Sequence, residues 1–320
     1  MATVKLAIVG DLLMKGPIIA STRRKGGEGF DFHPLLRSVR PRLRRASVTV
    51  GNLETTFSGY GGPGVKGNGF PTESSGPTSR YVFNCPDELA PALKAAGFNV
   101  LVTANNHSMD GGPGGLKRTL AVLDRHGLKH TGTYRSPRGA GSPLIVQAGG
   151  MKIAILSYTK GTNSLPVPRP WMVNRIGSGE RIASRIRKLR GKVDFIVVYL
   201  HFGREFRTYP NGRENRLMNL LLRQGANAVV GAHPHVPHPV RVVRSKDRDG
   251  RLLTRVAASS LGNFVSTKLR GREDSITGTI LELTVTKSGS GPADISRVLR
   301  IKTKVRRDGG GGYRVVPLKR

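Results

Sequence analysis

Short clusters of polar residues repeatedly follow buried apolar runs, and this pattern constrains the chain more than any other feature. The apolar run over residues 4–9 leads into Asp11, and the run over 194–200 leads into His201. Such runs predict strands that are covered on both faces of a sheet. Ligands of open α/β sheets bind beyond the carboxyl ends of the strands. The pattern therefore predicts one shared site, built from residues 10–11, 51–54, 104–111, 201–205, 231–235 and 261–264.

Helical patterns separate most of the predicted strands. For example, residues 115–126 place three leucines on one helical face. The part from about residue 253 to 320 is rich in predicted strands and has no clear helix. This order predicts an α/β fold in which two sheets pack together with helices outside. No linker divides the chain, so residues 1–320 are expected to form a single domain, with 253–320 integral to it or a small extension.

The chain is strongly basic, with 53 Lys and Arg against 20 Asp and Glu and a formal net charge of +33. This charge suits a polyanionic partner, but a generally Arg-rich composition explains it equally well. No zinc-finger, RNA-binding-sheet or helix-turn-helix signature accompanies the charge, so nucleic acid ranks last among the partners considered.

Cysteine content and hydropathy exclude other classes of protein. The single Cys85 excludes an intramolecular disulfide and a Cys-rich zinc site. No apolar run approaches the roughly 20 residues of a transmembrane helix, and the amino terminus lacks the pattern of a signal peptide. The chain as written is expected in the cytoplasm, with export of a longer precursor left open.

Histidines concentrate in the loops that follow predicted strands. A single His is most often an ordinary surface or core residue, and an Asn or Asp in a loop often stabilises a turn or caps a helix. Carboxylate, amide and imidazole groups together, however, suit Mn²⁺, Zn²⁺ or Fe²⁺. The sequence therefore predicts one or two divalent metal ions of unknown identity. The histidines concerned are His107, His201, His233, His235 and His238.

Six short motifs carry a resemblance to a known family, over about residues 3–266. They are Gly10-Asp11, Gly51-Asn-Leu-Glu54, Ala104-Asn-Asn-His-Ser-Met-Asp110, His201-Phe-Gly-Arg-Glu205, Gly231-Ala-His-Pro-His-Val236 and Ser260-Leu-Gly-Asn-Phe264. In their order and spacing the sequence resembles the CapA/PgsA family of capsule and poly-γ-glutamate biosynthesis proteins. The resemblance implies a calcineurin-like metallophosphoesterase fold, a four-layer α/β/β/α sandwich with two mixed sheets.

The resemblance also implies roles for particular residues. Glu54, or less favourably Asn52, would bridge two metal ions, and His107 would act as an acid/base beside them. The implied ligands are Asp11 and His235 for one ion, and Asn106, His201 and His233 for the other.

Some positions depart from related patterns. Leu13 stands where the wider phosphoesterase pattern has His, and Asn52 where it has Asp, which leaves one metal position with fewer ligands. CapA-like proteins share both changes. His238 and Lys268 stand where the family commonly has Gln.

Further residues are predicted around the metal ions. Asp110 or Asp11 is expected to orient His107 in proton transfer, although Asp110 would serve equally well as a helix cap. Segments 58–80 and 161–175 are expected to border the site, unless they are ordinary loops. In the second segment, Arg169, Trp171 and Arg175 would grip an aromatic or anionic group. The residues predicted to bind substrate are Asn52, Asn105, Arg204, Glu205, His238 and Asn263.

Four functions remain open at the level of sequence. The first is a CapA-like metal-dependent enzyme of hydrolase type that acts on an anionic peptide or poly-γ-glutamate polymer. The second is an epimerase that uses the same groups to move a proton at a peptide α-carbon. The third is a phosphoesterase, which the reduced metal position disfavours. The fourth is a non-catalytic subunit that guides an anionic polymer through a polymer-synthase partner.

Overall fold

Two sheets pack face to face, as the order of predicted elements requires. The computed structural model describes residues 1–59, 82–247 and 249–318, so residues 60–80 of the predicted site loop lie outside the described residues. The strands are β1 (Ala2–Leu12), β2 (Val48–Asn52), β3 (Val100–Val102), β4 (Lys129–Thr131), β5 (Leu144–Ala148), β6 (Met151–Thr159), β7 (Phe195–His201), β8 (Ala228–Ala232), β9 (Val240–Lys246), β10 (Leu252–Ala258), β11 (Asn263–Val265), β12 (Thr277–Lys287), β13 (Asp294–Arg307) and β14 (Tyr313–Pro317).

Helices cover the outer faces of both sheets. They are α1 (Gly16–Ser21), α2 (His33–Leu36), α3 (Arg40–Leu43), α4 (Leu89–Ala96), α5 (Gly112–Arg125), α6 (Glu180–Leu189) and α7 (Gly212–Arg223), with short 3-10 helices at Pro170–Met172 and Glu273–Ile276. None of the helices in the described part of the chain has the length and apolar character needed to cross a membrane.

The first sheet has the strand order β14-β13-β12-β1-β2-β3-β4. β1 runs parallel to β2 and antiparallel to β12, so the sheet is mixed. β11 adds a short parallel pairing at the carboxyl end of β1, where Asp11 lies opposite Asn263 on one side and Asn52 on the other. This register places three polar side chains at one edge.

The second sheet has the order β5-β6-β7-β8-β10-β9. Its four inner strands are parallel, and β5 and β9 are antiparallel edges. Every residue of β7 is buried, as its continuous apolar run predicts for a strand covered on both faces. The strand-rich part predicted after residue 253 divides between the sheets, because β10 joins the second and β12 to β14 extend the first.

The protein has three hydrophobic cores, because successive side chains of a strand point to opposite faces of the sheet. In β1, Leu6 and Ile8 face the second sheet, whereas Ala7 and Val9 face helices α1 to α5. The outer face of the second sheet packs on α6 and α7. Since side chains alternate between the faces of a strand, each sheet supplies two apolar surfaces. The result is the expected four-layer α/β/β/α sandwich with two mixed sheets.

Candidate metal centre

The carboxyl ends of four strands bring their polar residues to one place. Asp11 lies at the end of β1, Glu54 just beyond β2, and His201 at the end of β7. His233 and His235 follow β8. The ring centroids of His201 and His233 are 4.9 Å apart, and the side chains of Asp11 and Glu54 are completely buried. The two sheets therefore contribute to one polar cluster.

His201 lies in the middle of this cluster. Its Nε2 atom is 2.7 Å from Asn106 Oδ1 and 3.4 Å from Glu54 Oε1. On the other side of the ring, Asn52 Nδ2 lies 3.1 Å from Nδ1. An amide nitrogen only donates, so a neutral His201 accepts at Nδ1 and carries its proton on Nε2. The Nε2 atom thus shares one small space with two oxygen atoms.

Three oxygen atoms surround the Nδ1 atom of His235. Asn263 Oδ1 is 3.0 Å away, Asp11 Oδ2 is 3.3 Å away and Glu54 Oε2 is 3.9 Å away. Such a set of oxygens suits either a proton on the nitrogen or a divalent cation bound by the nitrogen and the two carboxylate oxygens.

Some atoms of the cluster have no hydrogen-bond partner. Both carboxylate oxygens of Glu54 and Nδ1 of His233 are buried and unpartnered within the described part of the chain. A buried carboxylate is strongly unfavourable unless it is paired or binds a metal. Potential ligand atoms lie within 4.8 Å of one another in two groups, Asp11 with Glu54 and His201, and Glu54 with His233 and His235. These residues fit a divalent cation, and Glu54 belongs to both groups.

The charges within the cluster lead to the same conclusion. Burial, followed by the negative charge of Asp11, raises the pKa of Glu54 well above its ordinary value. Burial opposes ionisation of Asp11, but the hydrogen bond from His235 lowers the pKa of Asp11 to about 2. Burial also opposes protonation of His235, yet Glu54 and Asp11 raise its pKa to about 9. Burial lowers the pKa of His201 to about 3. The protein's own charges are thus balanced by protons that a metal ion would displace.

Three asparagines predicted to bind substrate lie behind the ligands instead. Asn52 Nδ2 donates to Asp11 Oδ1 at 2.7 Å, and Asn105 Nδ2 donates to Asn52 Oδ1 at 3.2 Å. Asn263 Nδ2 donates to a backbone carbonyl at 2.6 Å, which turns Oδ1 towards His235. Outer partners of this kind fix the orientation of metal ligands.

His107 stands beside the cluster and pairs with Asp110. Its Nδ1 atom lies 2.7 Å from Asp110 Oδ2, which also accepts a hydrogen bond from the Phe83 amide at 2.7 Å. The N-cap residue of α5 is Gly111, so Asp110 does not cap that helix. Burial opposes protonation of His107, but the charge and hydrogen bond of Asp110 raise its pKa. Of the two acids predicted to orient His107, Asp110 is therefore the one that the structure places against its ring.

A cavity of about 410 Å³ opens next to His107. Asn106 and His235 form part of its wall, and Glu205 and Arg270 lie opposite, 4.0 Å apart. Glu205 is therefore the one predicted substrate-binding residue that lines this cavity. The cavity gives a substrate access to the imidazole and to the ligand cluster.

Other predicted residues lie elsewhere. Arg204 is exposed and does not line the cavity. Both ring nitrogens of His238 are engaged, by Ser259 Oγ at 2.9 Å and by a backbone carbonyl at 2.6 Å. Trp171 and Arg175 line a different cavity, and Arg169 lines neither. The prediction that segment 161–175 borders the site therefore holds for its beginning and not for its aromatic and basic end.

Three residues near the centre were not predicted individually, although Asn163 lies in the predicted segment 161–175. Asn163 Nδ2 lies 3.4 Å from Nε2 of His107, and Asn163 Oδ1 accepts from Asn106 at 3.1 Å. Phe206 packs near the His235 ring, with centroids 6.2 Å apart. Tyr199 Oη donates to a backbone carbonyl of β1 at 2.9 Å and so ties the two sheets together beneath the cluster. Only the Asn163-Ser164 pair carried a signal, since Asn readily adopts turn conformations.

The backbone at the carboxyl end of β8 is unusual. His233 has φ 100° and His235 has φ 60°, in the left-handed region that favours glycine. The backbone packs tightly next to this turn. A Cβ atom on Gly231 would lie only 2.3 Å from the Ser259 carbonyl oxygen. A Cβ atom on Gly10 would lie 1.8 Å from the Gly262 carbonyl oxygen. These glycines allow the close approach that places Asn263 opposite Asp11.

Comparison with known sequences identifies the family. The sequence profile of the bacterial capsule synthesis protein PGA_cap family matches residues 5–268. The chain belongs to this family. The matched residues include every strand end that contributes to the cluster, so the PGA_cap family match covers the whole candidate metal centre.

Named relatives support the same assignment. The chain is 27% identical to the PGA biosynthesis protein CapA of Bacillus subtilis over 267 residues, covering 81% of this chain and 62% of that protein. It is 24% identical to the capsule biosynthesis protein CapA of Bacillus anthracis over 265 residues, covering 81% and 59%. This chain thus spans about three-fifths of the length of the curated relatives it matches.

A solved structure supports the fold. The calcineurin-like phosphoesterase YfkN of Bacillus subtilis superposes with a TM-score of 0.51, covering 95% of this chain and 91% of that chain. The sequence identity is 13%, so this likeness concerns the fold alone.

Proposed function

We propose that this PGA_cap family member is a metal-dependent hydrolase that cleaves amide bonds in an anionic peptide or a poly-γ-glutamate polymer. One observation carries the proposal. The buried carboxylate of Glu54 lies between His201 and His235 and has no hydrogen-bond partner among the described residues. Beside it, the His107–Asp110 pair faces an open cavity. This arrangement combines a cation site with a positioned proton donor.

The ligand cluster would hold one or two divalent cations. Glu54 would bridge, because it belongs to both groups of ligand atoms, with Asp11, His201, His233 and His235 around it. The oxygen of Asn106 faces the same space as His201 Nε2. A cation bound here polarises a substrate carbonyl as a Lewis acid.

His107 would supply the proton that the leaving group needs. Asp110 engages its Nδ1 atom and fixes the tautomer, so Nε2 is the atom at the cavity. During hydrolysis, water adds to the carbonyl carbon and the C–N bond breaks. The His107 imidazolium then donates its proton from Nε2 to the departing nitrogen, and water restores that proton in the next cycle.

The charge of the cavity supports an anionic substrate. Lys15 and Arg270 line it, and Glu205 is its one acidic residue among those described. The named relatives are proteins of PGA and capsule biosynthesis. A polyglutamate carries one carboxylate per residue and so suits this cavity, and a polymer synthase would be the natural partner of such an enzyme.

The decisive experiment compares His107→Ala with His233→Ala. We expect His107→Ala to keep its metal and to lose about 10²–10⁴ in rate on poly-γ-glutamate, as for loss of a positioned acid/base. His233→Ala should lose metal, because Nδ1 of His233 is one of the unpartnered ligand atoms. Metal analysis by mass spectrometry and chain length by gel filtration give the two readouts.

Three results would contradict the proposal. They are a metal-free His107→Ala protein, a fully active one, and a parent protein that never shortens the polymer. An epimerase would instead exchange α-protons for solvent deuterium at constant chain length, so deuterium incorporation distinguishes that alternative.

A further inference from the structure

A basic groove runs along α6 on the outer face of the second sheet. Two cavities, of about 450 and 360 Å³, line up beside the helix. They share Ala140, Gly141 and Arg185 in their walls, so they form one continuous depression. We call this depression the α6 groove. It is separate from the cavity at the candidate metal centre, with which it shares no lining residue.

Cations line the groove at helical spacing. Arg181, Arg185 and Lys188 project from one side of α6, and Lys192 follows the helix. Positions that differ by three or four residues lie on the same side of a helix. The opposite side of α6 is apolar and packs against the second sheet. Arg175 adds a fifth cation at the other end of the groove.

These cations have no acidic partner in the part of the chain that the structure describes. Arg175 donates to Thr162 Oγ1 at 3.0 Å, and Arg185 donates to the Gly141 carbonyl and the Tyr158 hydroxyl. No carboxylate within the described ranges forms a salt bridge with any of the five. Some arginines elsewhere are paired, as Arg118 is with Asp87; what distinguishes the groove is that five unpaired cations line one depression. A row of unpaired like charges is unfavourable by itself, and a bound polyanion would relieve the repulsion.

An aromatic surface completes the groove. Trp171 is the only tryptophan of the chain, and it is half-buried in the wall of the larger cavity together with Arg175. An indole ring offers a flat apolar contact for the carbon atoms of an organic chain. Nucleic-acid grooves use several accessible aromatic side chains on which successive bases stack. The described wall of this groove has two aromatic residues, and one of them, Tyr158, is buried, so Trp171 alone is accessible.

From these observations we infer that the α6 groove binds a segment of a linear polycarboxylate, away from the bond that reacts. The choice of polymer rests on the proposed function, whereas the groove itself rests on its own residues. The connection that follows β6 joins the two regions. Its residue Asn163 contacts His107, and its residues Trp171 and Arg175 lie in the groove. One polymer chain bound at both places would be held at two points, which raises its effective affinity.

Fluorescence of Trp171 tests this inference directly. We would titrate the protein with a poly-γ-glutamate oligomer in chelator, so that the metal centre does not contribute. The parent should show a saturable change in emission. Arg181→Gln with Arg185→Gln should weaken the apparent affinity about tenfold. The matched control, Arg37→Gln with Arg40→Gln, removes two exposed charges from the opposite helical layer and should stay near the parent. Replacement of Arg181 and Arg185 by Lys should restore most of the affinity.

Several outcomes would overturn the inference. Unchanged emission in the parent, or equal weakening by the groove pair and the control pair, would mean that no specific site exists. Tight binding of a single-stranded oligonucleotide of equal charge, with none of the polyglutamate, would assign the groove to nucleic acid.

Turnover separates this inference from the proposed function. If the parent binds the oligomer in the groove but never cleaves it, the proposed function fails and the groove remains. If the parent cleaves the polymer and the groove pair leaves both emission and KM unchanged, the groove alone fails.

Discussion

The candidate metal centre and the α6 groove treat charge in opposite ways. The centre completely buries two carboxylates although the chain has few acidic residues. The groove has five cations that form no salt bridge with any described acidic residue. Charges interact strongly where water is excluded, whereas salt screens charges in contact with solvent. Loss of a single charge should therefore have a large, salt-independent effect on binding in the centre, but a small, salt-dependent effect in the groove.

The largest effect should come from Glu54→Gln. Glu54 lies in both groups of ligand atoms. Loss of a residue that only orients a ligand lowers metal affinity by at most about 100-fold, and we expect Glu54→Gln to lower it further. Isothermal titration at low and high salt measures it. Glu205→Gln, which changes an acid on the cavity wall, is the matched control and should keep the metal.

In metal-free, chelated protein, Glu54→Gln should stabilise the fold, whereas in the presence of metal it weakens metal binding. The raised pKa of Glu54 means that its ionised form costs stability as pH rises above the unfolded value. Chelated Glu54→Gln should therefore melt at a higher temperature than chelated parent protein at neutral pH. A lower melting temperature would show that the carboxylate is satisfied without a cation.

Asp110→Asn should have an intermediate effect. The negative charge of Asp110 favours the imidazolium form of His107, so its removal lowers the pKa of His107. Activity that needs protonated His107 should then be lost at lower pH, which moves the alkaline limb of the kcat/KM profile towards acid. Loss of the acid/base itself should cost at least about 10²-fold in rate. The rate of Asp110→Asn at its optimum pH should fall by less than that.

A second His–Asp pair provides the control for that profile. Asp124 lies 3.1 Å from His130 near the surface, and Asp124→Asn should leave the pH profile in place. If the shift of the Asp110→Asn pH profile disappears at high salt, charges at the centre are screened like those of the groove, and the expected difference between the two regions is wrong.

The smallest effect should come from Lys192→Gln at the end of the groove. An exposed charge contributes about 0.2–1 kcal/mol to a contact, so the apparent affinity for the oligomer should fall no more than about fivefold. The loss should vanish at high salt. Lys117→Gln on α5 is the matched control, and Trp171 emission is the measurement. A large, salt-resistant loss would mean that Lys192 is buried by the ligand.

Much of the fold follows from sequence because its central elements are long and strongly patterned. The apolar run of β7 and the leucine face of α5 predict their elements to within a few residues. The missed elements lack such patterns. α2 and α3 have four residues each, β4 and β11 have three, and β9 alternates half-buried and exposed residues at a sheet edge. Tertiary packing, rather than local propensity, decides such segments.

The sequence predicts the candidate metal ligands, but it does not predict the residues that orient those ligands. Histidines and acids after strands converge because the carboxyl ends of parallel strands share one edge. Whether an asparagine faces a substrate or a ligand depends on contacts distant in sequence. Asn52 bonds to Asp11 and Asn263 to His235, and no local pattern reports either contact. The same holds for Trp171, whose neighbours in the groove come from two other elements.

The left-handed backbone of His233 and His235 has a consequence for anyone who engineers this protein. Each residue holds a conformation that costs an L-amino acid about 1–2 kcal/mol and costs glycine almost nothing. At His235 the contacts of the imidazole with Asp11 and Asn263 oppose a change to glycine. At His233, whose Nδ1 has no hydrogen-bond partner among the described residues, a selection that rewards heat resistance alone would favour glycine. The most heat-resistant variants would then lack one imidazole of the centre, so a library built on this scaffold needs metal retention as a second criterion.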